Sequence, residues 1–113
     1  MSRTASGLKA WVLQRATAVY IGLFSLYFLL QMLLAPPDDW VQWRALFAAT
    51  PMAVAMLVFM LAILLHAWVG VRDVLIDYVK PFWLRLSLLT LIALILVACG
   101  LWTLQLLILA RLN

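Results

Sequence analysis

Three long apolar runs, set apart by two short stretches that carry prolines and charges, dominate the chain. They cover about residues 16–34, 52–71 and 86–109, and about 20 helical residues cross the hydrocarbon core of a bilayer. No water is available there, so each run must satisfy its own backbone hydrogen bonds, and the expected element is a helix. The short alternating segments of a membrane barrel are missing from the pattern. The first run stops at Pro36-Pro37, and Asp38 or Asp39 is placed to cap a short interfacial helix that includes Trp40, Val41, Arg44, Leu46 and Phe47. Pro51 suits the first turn of the second span. Pro81 lacks an N–H and disfavours helix at Lys80, so the second span can extend toward residue 78 and a new helix starts near Phe82. The expected fold is all-α and integral to the membrane: one membrane-anchor domain over residues 1–113 with three transmembrane helices.

Composition agrees with this pattern. Hydrophobic residues make up 69% of the 113 positions and charged residues 11%, against about half and about a quarter in a soluble domain. The net charge of +4 therefore reads as topology rather than as nucleic-acid binding. Arg3, Lys9, Arg15, Arg72, Lys80 and Arg85 fall on one side of the membrane, and Arg44 and Arg111 on the other. The positive-inside rule puts the N-terminus in the cytoplasm and the C-terminus in the periplasm. Trp11, Trp40, Trp43 and Trp83 lie near span ends, as interfacial aromatics do. A cleaved signal peptide is not expected, because the first run is long and a cut after Ala35 would leave Leu33 at −3 and Pro36 just past the cut. The single cysteine, Cys99, excludes an internal disulfide and any cluster or zinc site built from cysteines of this chain. No Gly-rich nucleotide loop is present. Flavin or cluster chemistry would have to reside on other subunits.

Candidate chemistry concentrates in "LLHAWVGVRDVLIDYVKP", residues 64–81. The sole histidine, His66, lies five residues before Val71, about 7.5 Å inside that end of the span. Ionisable groups inside a membrane are costly and tend to be functional. An axial haem ligand, a proton relay and a metal ligand all compete with simple interhelical packing. A bare metal site is disfavoured, because no second ligand stands at the right spacing. Ala55, Phe59, Ala62, His66, Gly70, Asp73 and Asp77 share one helical face. Small Ala62 and Gly70 on either side of His66 admit either a flat macrocycle or a second helix. Tyr78 offers a neutral phenol suited to a quinone carbonyl, and Asp77 beside it can orient such a site or relay protons. Alone, the pair reads equally as a surface acid and an interfacial anchor. Arg15 lies at the cytoplasmic edge of the first span, where it suits a haem propionate or simply snorkels. Asp73 beside Arg72 reads as a solvated charge, and Cys99-Gly100 as close-packing positions.

Taken together, "HAWVGVRDVLIDYVKP" followed by "LRL", with "RATA" at residues 15–18, resembles the smaller, D-type hydrophobic membrane anchor of bacterial succinate dehydrogenase (complex II), the anchor associated with cytochrome b556. The resemblance covers essentially the whole chain. It implies a second, C-type anchor subunit, an iron–sulfur subunit and a flavoprotein as partners in the bacterial inner membrane. It implies one haem b held between the two anchors, with His66 as an axial ligand to its iron, Gly70 packing against it and Arg15 near a propionate. It implies that Tyr78 and Asp77 contribute to the ubiquinone site that receives electrons from the iron–sulfur subunit. FAD, iron–sulfur clusters and succinate oxidation, a step of the tricarboxylic acid cycle, belong to partner subunits, so this chain carries no catalytic residue for succinate. Two other readings stand beside it: the anchor of a fumarate reductase, and a small membrane transport or assembly protein with a structural histidine.

Overall fold

The structure, a computed structural model, describes residues 2–112, with side chains from Gly7 to Leu112; the Arg3 side chain, counted above for orientation, lies outside the described residues. Among the described residues four helices follow in order: α1 (Ser2–Leu34), α2 (Trp40–Ala48), α3 (Thr50–Tyr78) and α4 (Phe82–Leu112). Three of them, α1, α3 and α4, are long and apolar enough to cross a membrane. The apolar runs lie inside these helices, and the helices reach past them. α1 has 33 residues, about 50 Å at 1.5 Å per residue, whereas the hydrocarbon core is about 30 Å thick. The surplus is the polar first half of α1, where helix continues through Gly7 and Gln14.

Each break has a local cause. The Ala35 N–H closes α1 on the Gln31 carbonyl (2.8 Å), and Pro36 and Pro37 follow, which cannot continue the helix. α2 begins with two reciprocal contacts: the Gln42 N–H donates to Asp39 Oδ1, and the Asp38 N–H donates to Gln42 Oε1, each at 2.9 Å. This resembles a capping box and satisfies donors that a helix start leaves free. Ala49, in an extended conformation, ends α2 and starts α3, with Pro51 in the first turn. α3 stops at Tyr78 because Pro81 disfavours helix at the residue before it. α4 then starts at Phe82, and the Arg85 N–H donates to the Pro81 carbonyl.

α3 is the central element. α1 packs along one side of it and α4 along another, while α2 lies against α3 and α4. Among the described residues the backbones of α1 and α4 do not approach each other. α1 and α3 meet through aromatic packing, with Phe24 and Phe59 ring centroids 4.7 Å apart, and through the Tyr20 hydroxyl, which donates to the Ala55 carbonyl at 2.7 Å. α3 and α4 close at Gly100, where a Cβ would stand 2.8 Å from Leu64 Cδ1. The close-packing expectation for Gly100 is therefore met, while Cys99 is exposed. Two hydroxyls on α4 bond to the preceding turn: Ser87 donates to the Trp83 carbonyl and Thr103 to the Cys99 carbonyl, as expected in an apolar setting.

The bundle buries little of itself. Its buried side chains are Thr17, Phe24, Met52, Ala53, Ala62, Val69 and Leu107, while most large apolar side chains are exposed. In a membrane, lipid and neighbouring subunits cover such surface without a hydrophobic penalty. The antiparallel succession puts Lys9, Arg72, Lys80 and Arg85 toward one end of the bundle. Arg44 and Arg111 lie toward the other, where the Arg111 guanidinium reaches the Thr50 hydroxyl (3.4 Å).

Candidate functional site

His66 is placed by α3 and oriented by α1. Its Nδ1 lies 3.1 Å from Thr17 Oγ1. Thr17, 7% exposed, is the one buried polar side chain described. Its hydroxyl also approaches two carbonyl oxygens of its own helix, Leu13 at 2.8 Å and Gln14 at 3.1 Å. The imidazole is half-buried. Its Nε2 has no hydrogen-bond partner among the described residues and is not among the sealed, unpartnered atoms. One ring nitrogen is thus held inside the bundle and the other is free at its surface.

The face of α3 around His66 is shared with α1. Ala62 is buried one turn away, the Phe59 ring packs tilted against Phe24, and a Cβ at Gly70 would meet Gln14 Nε2 at 3.5 Å. That last distance is an ordinary van der Waals contact, so packing within this chain does not itself demand a glycine at position 70. On this face the nearest described neighbour of Gly70 is a side chain of α1.

Arg15 is not brought to His66. A step of two residues turns about 200° around a helix, so Arg15 leaves α1 on the side away from Thr17. It is exposed, with its guanidinium over the Trp11 ring, 5.1 Å from the centroid. The pattern of residues gave its depth along the helix, but its direction depends on which face of α1 meets α3.

Asp77 and Tyr78 end α3, and both side chains are exposed, Tyr78 at 78%. No hydrogen bond joins them among the described residues. Adjacent residues point about 100° apart on a helix, so Asp77 stays nearly in line with His66 while Tyr78 turns to a different face. Tyr78 sits beside the break at Val79–Pro81, with its phenol open to an occupant from outside the chain. Arg72 and Asp73, one turn closer to His66, form a loose exposed pair at 3.4 Å, an arrangement worth little in stability.

Two side chains central to this geometry were not singled out from the sequence, Thr17 and Gln14. Thr17 sits within the quoted "RATA" stretch. Its signal was a hydroxyl near the start of the first span, at a depth that matches the only histidine. Gln14 stands one turn before it. With Trp11 it faces Val69, Arg72 and Asp73 across an open cleft of about 420 Å³, and its Oε1 is buried without a partner, as is Arg72 Nε.

Among the described residues no three His, Cys, Asp or Glu side chains gather. What His66 offers is a single nitrogen. That would fit a cofactor such as haem, which brings most of its own ligands and needs one imidazole from this chain.

Residues 1–108 match the family described as "Succinate dehydrogenase/Fumarate reductase transmembrane subunit". The chain is similar to the protein named "Succinate dehydrogenase hydrophobic membrane anchor subunit" of Coxiella burnetii (strain RSA 493 / Nine Mile phase I). The two are 36% identical over 105 residues, covering 93% of this chain and 91% of that protein. A bundle with three helices long and apolar enough to cross a membrane, matched along nearly its whole length, is a multi-pass membrane protein that belongs to the succinate dehydrogenase/fumarate reductase transmembrane subunit family.

Proposed function

We propose that this chain is the smaller anchor of a succinate:ubiquinone oxidoreductase in a bacterial cytoplasmic membrane. It binds haem b jointly with a second anchor subunit and contributes to the ubiquinone site fed by the iron–sulfur subunit. The observation that carries this reading is the state of His66: Nδ1 engaged on α1, Nε2 unpartnered at the bundle surface. A histidine serving only as packing glue within this chain would not need the second nitrogen free.

In this reading His66 Nε2 would hold the haem iron jointly with a residue of the second anchor. Haem, when bound, supplies a one-electron carrier within the membrane. Gly70 keeps the helix surface beside the imidazole low, while Ala62 is buried within the bundle. Arg15 is the cation assigned to a propionate on its depth along α1, although its side chain leaves α1 on the side away from Thr17 and lies over Trp11. Tyr78 donates its phenol proton in a hydrogen bond to a quinone carbonyl, and Asp77 stabilises that end of the site or relays protons from the cytoplasm. Both lie at the end of α3 where Lys80 and Arg85 also gather, the end that the basic-residue bias assigns to the cytoplasm. The flavoprotein and the iron–sulfur protein complete the complex on that face.

The anchor of a fumarate reductase is the second reading, and the matched family includes both enzymes. A free histidine nitrogen in the span favours the haem-containing succinate enzyme. The test is copurification followed by a reduced-minus-oxidised spectrum. A flavoprotein, an iron–sulfur protein and a second anchor should accompany this chain with a b-type haem signal. A complex with no such signal removes the haem assignment, and a chain that purifies without those partners removes the whole reading.

A further inference from the structure

We infer that Thr17 is a positioning residue for His66: its hydroxyl accepts the Nδ1–H, fixes the tautomer with Nε2 unprotonated, and aims that nitrogen out of the bundle as a ligand. The inference rests on the haem reading above and deepens it by naming how this chain prepares its half of the site.

Proton counting carries it. A threonine hydroxyl has one proton and two acceptor lone pairs. Thr17 Oγ1 is in hydrogen-bond range of three atoms: the Leu13 carbonyl oxygen at 2.8 Å, the Gln14 carbonyl oxygen at 3.1 Å and His66 Nδ1 at 3.1 Å. The two carbonyls can only accept. The shortest contact therefore takes the hydroxyl proton; otherwise two oxygens would face each other at 2.8 Å in an apolar interior without a proton between them. The contact to Nδ1 is then satisfied only if the imidazole donates. A neutral imidazole with its proton on Nδ1 has an acceptor lone pair on Nε2, the nitrogen that has no partner here. Both bonds of the hydroxyl lie in a site where Thr17 is 7% exposed, so water does not readily substitute for either.

Two consequences follow. The ring is held at one edge before any ligand arrives, which lowers the ordering cost of binding. A ligand imidazole that donates its other N–H is also a more basic donor to the metal, and loss of such a partner typically costs about 10- to 100-fold in affinity. A more basic ligand favours the ferric over the ferrous state, so removing the acceptor should raise the haem midpoint potential.

The experiment uses the whole complex with Thr17→Val, which keeps the branched shape and removes the oxygen, and Thr17→Ser, which keeps the oxygen. The readouts are the haem-to-flavin ratio after extended washing and the haem midpoint potential by spectroscopic titration. Thr17→Val is expected to lose haem more readily, consistent with a roughly 10- to 100-fold weaker site, and to shift the potential upward, while Thr17→Ser stays near the wild type. Wild-type potential and haem content in Thr17→Val would overturn the inference, as would a Thr17→Ser variant that behaves like Thr17→Val. Where Thr17→Val does not assemble, Thr17→Ala, which also lacks the oxygen, is compared with Thr17→Ser by the same readouts. Equal haem content and potential in the two would overturn the inference, as would ligation of the haem through Nδ1 of His66. A complex without haem, or with haem indifferent to His66→Ala, overturns the proposed function and this inference with it; haem that depends on His66 but not on Thr17 overturns this inference alone.

Discussion

His66 and Tyr78 stand on one helix, α3, about 18 Å apart along its axis and about 120° apart around it. One faces α1 from within the membrane, and the other is exposed at the helix end. A single rigid element therefore presents two candidate sites at two depths, and substitutions at one should leave the other largely intact.

His66→Ala is expected to diminish the haem or change its spectrum, while the flavoprotein still oxidises succinate with a soluble dye as acceptor. The second ligand lies on another chain, so partial haem retention with an altered spectrum meets the expectation. The check is a reduced-minus-oxidised spectrum together with the dye-linked rate. A wild-type haem spectrum in this variant would return His66 to a packing role.

Tyr78→Phe removes one hydroxyl from an exposed side chain, so folding and haem content should not change. A hydrogen bond of about 1 kcal/mol to a quinone carbonyl corresponds to roughly a fivefold weaker interaction. Quinone-dependent turnover should fall by about that factor, with the dye-linked rate unaffected. Full quinone turnover would leave Tyr78 as an interfacial anchor.

Gly70→Ala separates two uses of a small residue. The added methyl meets Gln14 Nε2 at an ordinary 3.5 Å, so the chain itself should tolerate it, and the helix should gain about 0.5–1 kcal/mol. The complex is expected to assemble with unchanged or slightly higher thermal stability and with a shifted haem spectrum. An unchanged spectrum would assign Gly70 to helix packing alone.

Gly100→Ala brings a Cβ to 2.8 Å from Leu64 Cδ1. The clashing atom is the end of a flexible side chain, so the cost should be near 1 kcal/mol, at the low end for overpacking. Combining it with Leu64→Ala should cost less than the sum of the two single changes, because the second removes the clash made by the first. Thermal unfolding of the complex measures all three variants, and strict additivity would show that α3 and α4 do not close at this point.

The chain's own pattern determined a good deal. The three spans follow from apolar runs long enough to cross a bilayer. The breaks at Pro36-Pro37 and Pro81 follow from a residue that cannot extend a helix, and the alignment of Ala62, His66, Gly70 and Asp77 on one face follows from the helical repeat alone. These are local consequences, readable without knowing what lies next to what. Only the tertiary structure decided which helix covers that face and at what register. α1 lies against it, so that Thr17 meets His66, Gln14 meets Gly70 and Phe24 meets Phe59. Arg15, matched in depth, was sent to the other side of α1. Depth along a helix is set by counting residues, whereas direction around it is set by side-chain packing between helices, which in lipid depends on shape and hydrogen bonds rather than on hydrophobicity. The histidine was visible in the sequence as an isolated polar group; the hydroxyl that turns one of its nitrogens inward and leaves the other free became visible only when two helices were laid together.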